Sequence, residues 1–184
     1  MSRYDDEIWR LVPEDPGAPP AHIGSFVAGL GSVGRALDLG CGDGRLSAQL
    51  DAAELVAADV STVALDRARS RLPEARLVQL EPDEPLPFPD NDFDLVLCAE
   101  TLEHVRDVQL LLSEARRVLR PGGELAVTTP AHGRLTALHT GFDPFSPHIR
   151  FFTRRSLRAV LGELGFELRE LRRRSGTLLA RATR

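Results

Sequence analysis

The 184-residue chain has no lysine; all 23 basic side chains are arginine. The phosphate-binding P-loop needs Gly-Lys-Ser/Thr, so that nucleotide motif is excluded. Cysteine is scarce as well. Cys41 and Cys98 are the only two, each in or beside an apolar run expected to be a buried strand. They are read as reduced thiols of a cytoplasmic protein rather than as a disulfide. One Trp and one Tyr leave no aromatic platform on which nucleic-acid bases could stack. No run of about 18 apolar residues occurs, so no membrane span is expected. The opening "MSRYDDEIWRLVPEDPG" is acidic and lacks an apolar signal core, which argues against secretion.

What is present fits one globular unit. Hydrophobic residues make up 42% of the chain, enough for a single core. The net charge of −4 is unevenly spread: residues 1–100 hold 19 acids and 8 arginines, residues 101–184 hold 8 acids and 15 arginines. The basic half could attract an anionic substrate. "RELRRR" (169–174) reads as a strand, whose alternating side chains cannot form one broad basic face. Solvated arginines are therefore expected there, not a nucleic-acid patch.

"PEDPGAPP" (13–20) is too rich in Pro and Gly for regular structure. It divides an N-terminal segment (1–20) from one domain (21–184). "AHIGSFVAGL" has helical spacing and a glycine stop. Strands and helices then alternate: strand 35–39, helix 44–51, strand 55–60, helix 62–72 with Ser61 as N-cap, strand 75–80, a Pro-rich loop 81–92, strand 93–99, helix 108–120, "PGG" as a stop, and strand 124–129. Near-continuous apolar strands separated by helices imply a parallel sheet covered on both faces. After an irregular stretch (130–150), a helix at 153–165 and two strands joined at "SG" predict a closing antiparallel hairpin.

Three glycines, Gly40, Gly42 and Gly44, follow the first strand in "LDLGCGDG". Glycine serves where backbone must approach a ligand or adopt positive φ, and open α/β sheets bind ligands at the carboxyl ends of their strands. The dinucleotide fingerprint G-x-G-x-x-G would need glycine where Arg45 stands, which disfavours NAD or FAD. Asp59, ending the second strand, can accept ribose hydroxyls or cap the next helix. The residues alone thus imply an adenosine-containing cofactor at the strand tips.

"LDLGCGDG", "AADVS", "PLPFPDNDFDLVLCAETLEHV" and "RVLRPGGELAVTTP" resemble the ordered motifs of class I S-adenosylmethionine (SAM)-dependent methyltransferases, the type 11/23 group, over about residues 30 to 175. The resemblance implies an α/β fold: a Rossmann-like seven-stranded sheet of order 3-2-1-4-5-7-6, strand 7 antiparallel, with helices on both faces. It implies SAM as cofactor and S-adenosylhomocysteine as product. Asp38, Gly40, Cys41, Gly42 and Gly44 would surround the methionine part, Asp59 would hold the ribose and Val60 would pack on adenine. Ala99 would offer backbone to the amino group and Leu102 would line the pocket. Glu81 stands where relatives carry an adenine-binding Asp, but Pro82 after it has no backbone N–H.

Methyl transfer to a hydroxyl benefits from alignment and a general base. Glu100, Glu103 and His104 after strand four, and His132, His139 and His148 after strand five, are the candidates, with His148, His104 and Glu100 foremost. Glu100, Glu103, His104 and His148 also resemble the divalent-metal set of metal-assisted O-methyltransferases acting on RNA or catechol-like hydroxyls. Equally, Glu103 and His104 could simply orient the following helix, and His148 could be a loop histidine bonded to backbone. No metal is the primary expectation. The expected protein is a monomeric or homodimeric enzyme acting on a small molecule, roofed by residues 130–150 and Tyr4–Trp9. A non-catalytic SAM-binding partner is the alternative of another class.

Overall fold

The computed structural model describes residues 2–133 and 148–184. Helix α1 (Ser2–Leu11) precedes α2 (Ala21–Ala28); then come β1 (Ser32–Leu39), β2 (Asp51–Asp59), α3 (Thr62–Arg71), β3 (Arg76–Gln79), β4 (Phe93–Ala99), α4 (Val108–Val118), β5 (Leu119–Pro130), α5 (Arg154–Glu163), β6 (Glu167–Arg174) and β7 (Thr177–Thr183). The seven strands form one sheet of order β3-β2-β1-β4-β5-β7-β6. β7 runs antiparallel to both β5 and β6, and the pairings among β1 to β5 are parallel. This is the expected Rossmann-like order with the expected hairpin.

Period-two alternation splits the strands' apolar residues between two faces. Leu37, Leu39, Val56, Ala58, Val96, Cys98, Leu125 and Val127 pack with Leu112 of α4 and Leu157 and Leu161 of α5. Ala36, Leu95, Leu97 and Ala126 pack with Ile23 and Val27 of α2. Ala57 meets Leu65 and Ala68 of α3. Both cysteines are buried and unpaired. No described helix is long and apolar enough to cross a membrane.

Side chains close several helix ends. Ser61 accepts from the Ala64 amide (3.2 Å) at α3, as expected, and Asp107 accepts from the Leu110 amide (2.9 Å) at α4. At α5, Thr153 and Ser156 form a reciprocal capping box.

Two expectations are corrected. The expected helix at 44–51 is a turn followed by a single 3₁₀ turn, Ser47–Gln49. Gly44 has φ +79°, a left-handed conformation that cannot start a helix. Pairing of β2 with β1 begins already at Asp51↔Ser32, which leaves too little chain for helical turns. "PGG" does not stand outside the sheet: β5 starts at Leu119 and pairs with Phe93 across a register shift. The N-terminal segment, expected as part of a roof, is helical over ten residues. His22 is partly buried, with Nε2 3.0 Å from Thr177 Oγ1.

Candidate functional site

The carboxyl ends of β1, β2 and β4 meet at one rim. Past β1, the Gly40 and Cys41 amides both donate to the Ala58 carbonyl (2.8 and 3.0 Å). This folds the glycine loop over the tip of β2. There Asp59 accepts from the Gly42 amide through Oδ2 (2.8 Å) and from the Ser61 amide through Oδ1 (2.9 Å). Burial pushes its carboxyl upward despite those two donors. Gly40, Gly42 and Gly44 all have positive φ, and a Cβ on Gly40 would lie 2.5 Å from Thr101 Cγ2. Glycine is thus required both for backbone conformation and for closeness. Arg45 fixes the outer side of the loop: Nε donates to Asp43 (3.0 Å) and Nη1 to the Gly17 carbonyl (2.9 Å).

Asp38 lies beneath the loop, not at its surface. It is fully buried, Ser47 Oγ donates to its Oδ2 at 2.5 Å, and its Oδ1 has no partner. Burial raises its carboxyl to about 7. An orphaned buried carboxylate oxygen next to a glycine loop is an unusual feature in a native core and calls for a ligand or a proton.

At the β4 tip, Glu100 adopts φ +51°, a strained setting for a side-chain-bearing residue. It is held from β5: the Glu100 amide donates to the Thr128 carbonyl (2.9 Å), and Thr128 Oγ1 donates to Glu100 Oε1 (2.8 Å). Burial first, then the Glu103 charge, lifts Glu100 to about 6. Glu103 is almost completely buried, accepts from Thr129 Oγ1 (2.9 Å), and is lifted by burial to about 7. Its carbonyl accepts from the Ile149 and Arg150 amides (2.8 and 3.0 Å). That tie brings His148 to His104, with ring centroids 4.9 Å apart. His104 Nε2 stands 3.9 Å from Glu103 Oε1. Burial lowers His148 and His132.

Two adjoining cavities open over this rim, of about 540 and 150 Å³. They share Trp9, Gly40, Gly42 and Glu100. The larger reaches Asp59, Val60, Glu81 and Pro82 at one side and His104 at another, under Tyr4, Asp5 and Ile8 of α1. The smaller lies against Cys41 and Ala99.

Most of the expected site residues are therefore at one place: Gly40, Gly42, Asp59, Val60, Glu81, Glu100 and His104 at the larger cavity, Cys41 and Ala99 at the smaller. Others are not at the wall of either cavity, Glu103 and His148 among them. Leu102 is fully buried in the main core, because the 3₁₀ turn Leu102–His104 points it inward. Gly44 packs beneath against Leu72, and Asp38 is covered by the loop. Of the expected metal set, the ligand atoms of Glu103, His104 and His148 lie within 4.8 Å of one another; Glu100 is not part of that group. His139 lies outside the described residues. Missed in the sequence were the hydroxyl supports Thr101, Thr128 and Thr129. The "TTP" end of the β5 pattern could have flagged two of them, since β5 flanks β4.

Comparison with known proteins agrees with this geometry. Residues 37–127 match the family described as "Methyltransferase domain". A protein described as a "probable S-adenosylmethionine-dependent methyltransferase" of Mycobacterium tuberculosis is 34% identical over 134 residues, covering 71% of this chain and 47% of its own. The malonyl-[acyl-carrier protein] O-methyltransferase of Methylococcus capsulatus is 34% identical over 174 residues, 85% of this chain and 63% of its own. A crystal structure from Thermotoga maritima, described as a SAM-dependent methyltransferase, superposes with a TM-score of 0.77 at 22% identity, over 99% of this chain and 97% of that one. The chain spans about half or less of the length of several curated relatives it matches.

Proposed function

The chain belongs to the class I SAM-dependent methyltransferases, and from that premise we propose that it methylates a hydroxyl of a small-molecule acceptor. The observation that carries the reading is the Asp59–Gly42 tie at the β2 tip, with a cavity running from it to Glu100 and His104. SAM, when bound, supplies a methyl group already activated on a sulfonium. The chain's task is then to hold that group, align an acceptor and take up a proton.

The residues present fit the cofactor. Asp59 retains acceptor capacity beyond its two amide donors and would take the ribose hydroxyls. Val60, Leu80 and Pro82 offer an apolar slot for adenine. Pro82 has no N–H, so the ring is held by packing, with Glu81 at the edge for its amino group. The smaller cavity, between the Gly40–Gly44 loop with Cys41 and the Ala99 backbone, suits the methionine part. The unpartnered Asp38 carboxylate beneath it favours the ammonium.

Glu100 is the group best supported as the proton acceptor. It lines the larger cavity, is oriented by Thr128, and has a carboxyl at about 6, ionised at neutral pH yet more basic than an ordinary carboxylate. His104, which lines the same cavity, is an acceptor contact, and His148 packs against its ring. Helix α1 roofs the cavity and limits water. The protein acts in the cytoplasm, as a monomer or homodimer. The test is S-adenosylhomocysteine release with a panel of phenols, alcohols, amines and carboxylates. Turnover on hydroxyl acceptors, lost in Glu100→Gln, supports the reading; turnover confined to other acceptors refutes the hydroxyl assignment, and no turnover at all favours a non-catalytic SAM-binding partner.

A second reading is favoured by the Glu103, His104 and His148 grouping: a divalent cation held there would position an acceptor hydroxyl. It requires that chelators abolish turnover and that Mg²⁺ or Mn²⁺ restore it. Turnover indifferent to chelators overturns it.

A further inference from the structure

Helix α1 covers the cavity without being anchored in the core. None of residues 4–20 is buried, and Leu11 is 82% exposed. The helices α2, α3, α4 and α5 each sink two or three residues into the body. α1 is tied down by polar contacts instead. The Asp6 carboxylate accepts from Ser61 Oγ (2.7 Å), Thr62 Oγ1 (3.2 Å) and the Val63 amide (3.3 Å), all at the first turn of α3. A carboxylate there also meets the positive end of the helix dipole. Arg67 clasps the other end of α1, donating to the carbonyls of Val12 (3.0 Å) and Pro13 (3.3 Å).

Between the two ties lies Trp9. A Cβ on Gly42 would be 2.6 Å from its Cζ2, so the indole rests directly on the glycine loop. Arg67 stands 5.8 Å from the ring centroid, within cation–π range. Trp9 lines both cavities and lies over the place assigned above to the cofactor, a reading on which this inference rests.

We infer that α1 is a detachable strap: Trp9 is a binding residue that closes over the cofactor, and Asp6 is the latch that sets how fast the cofactor is admitted and released. An element held by a few hydrogen bonds at the protein's edge, with no buried side chain of its own, opens at far lower cost than one packed into the core. The rest of the fold is complete without it, so opening exposes the glycine loop and leaves the sheet untouched. Asp6 touches no ligand itself; it acts by positioning Trp9.

Trp9 is the chain's one tryptophan, so its emission reports the strap alone. The experiment titrates S-adenosylhomocysteine into the full chain, followed by calorimetry and by Trp9 fluorescence, with dissociation timed by stopped flow. We expect the emission to change saturably at the same ligand concentration as the heat. Asp6→Ala should speed dissociation about tenfold or more, the scale of losing hydrogen bonds to a charged group. Asp6→Asn, which can accept from the same donors, should restore most of the slow rate. Heat without any change in emission, or a wild-type dissociation rate in Asp6→Ala, overturns the strap and leaves the cofactor assignment standing. No heat with the wild-type chain overturns both.

Discussion

Two residues, one in the glycine loop and one beneath it, make sharp predictions. Gly42 has φ +55° and an indole against it. Gly42→Ala should therefore be strained and should push Trp9 away, seen as a shift of tryptophan emission and weaker S-adenosylhomocysteine binding by calorimetry. Asp38 predicts a pH dependence of stability. Its folded-state carboxyl sits at about 7 against an ordinary 3.8, so between those values the native chain holds a proton that the unfolded chain has released. Its contribution is complete below about pH 4 and fades as pH rises toward 7, by up to about 4 kcal/mol. Denaturant unfolding of wild type and Asp38→Asn between pH 4 and 8 isolates it. The variant should gain on the wild type as pH rises, and a constant difference would refute the assignment. The identity of these residues was legible in the sequence, because glycine and acid spacing at strand ends is local. The burial of Leu102 was not, since one 3₁₀ turn decides which way it points. Nor were the Thr128–Glu100 and Thr129–Glu103 pairs, which join β5 to the segment that follows β4.

At the scale of elements, the strands and the helices α2 to α5 followed from hydrophobic period and from capping residues. The segment after Gly44 did not, because its helical spacing was overruled by a left-handed glycine and by the early start of β2 pairing. Propensity is a weak prior where tertiary pairing competes. The capping box of α5 gives a direct test. Thr153→Ala removes the acceptor for the Ser156 amide and should cost about 1 kcal/mol of stability in denaturant unfolding. α1 has the opposite character. It contributes little to the core and much to the wall of the cavity, so changes there should appear in binding rather than in unfolding.

For the whole molecule, strand order was readable only through the resemblance of ordered motifs; alternation alone gave a parallel sheet and a closing hairpin. The same sheet supports many chemistries, so the acceptor is decided by side chains over the rim, not by topology. Cofactor binding at the rim formed by Gly40–Gly44, Asp59 and Glu100 is read out by calorimetric titration of S-adenosylhomocysteine into the wild-type chain and into Asp59→Ala, with folding of both checked by circular dichroism. The wild type should bind saturably and one to one, weakened at least about tenfold when the charged acceptor at the ribose position is removed. No binding by the folded wild type, or equal affinity in the two chains, rules out cofactor binding at this rim.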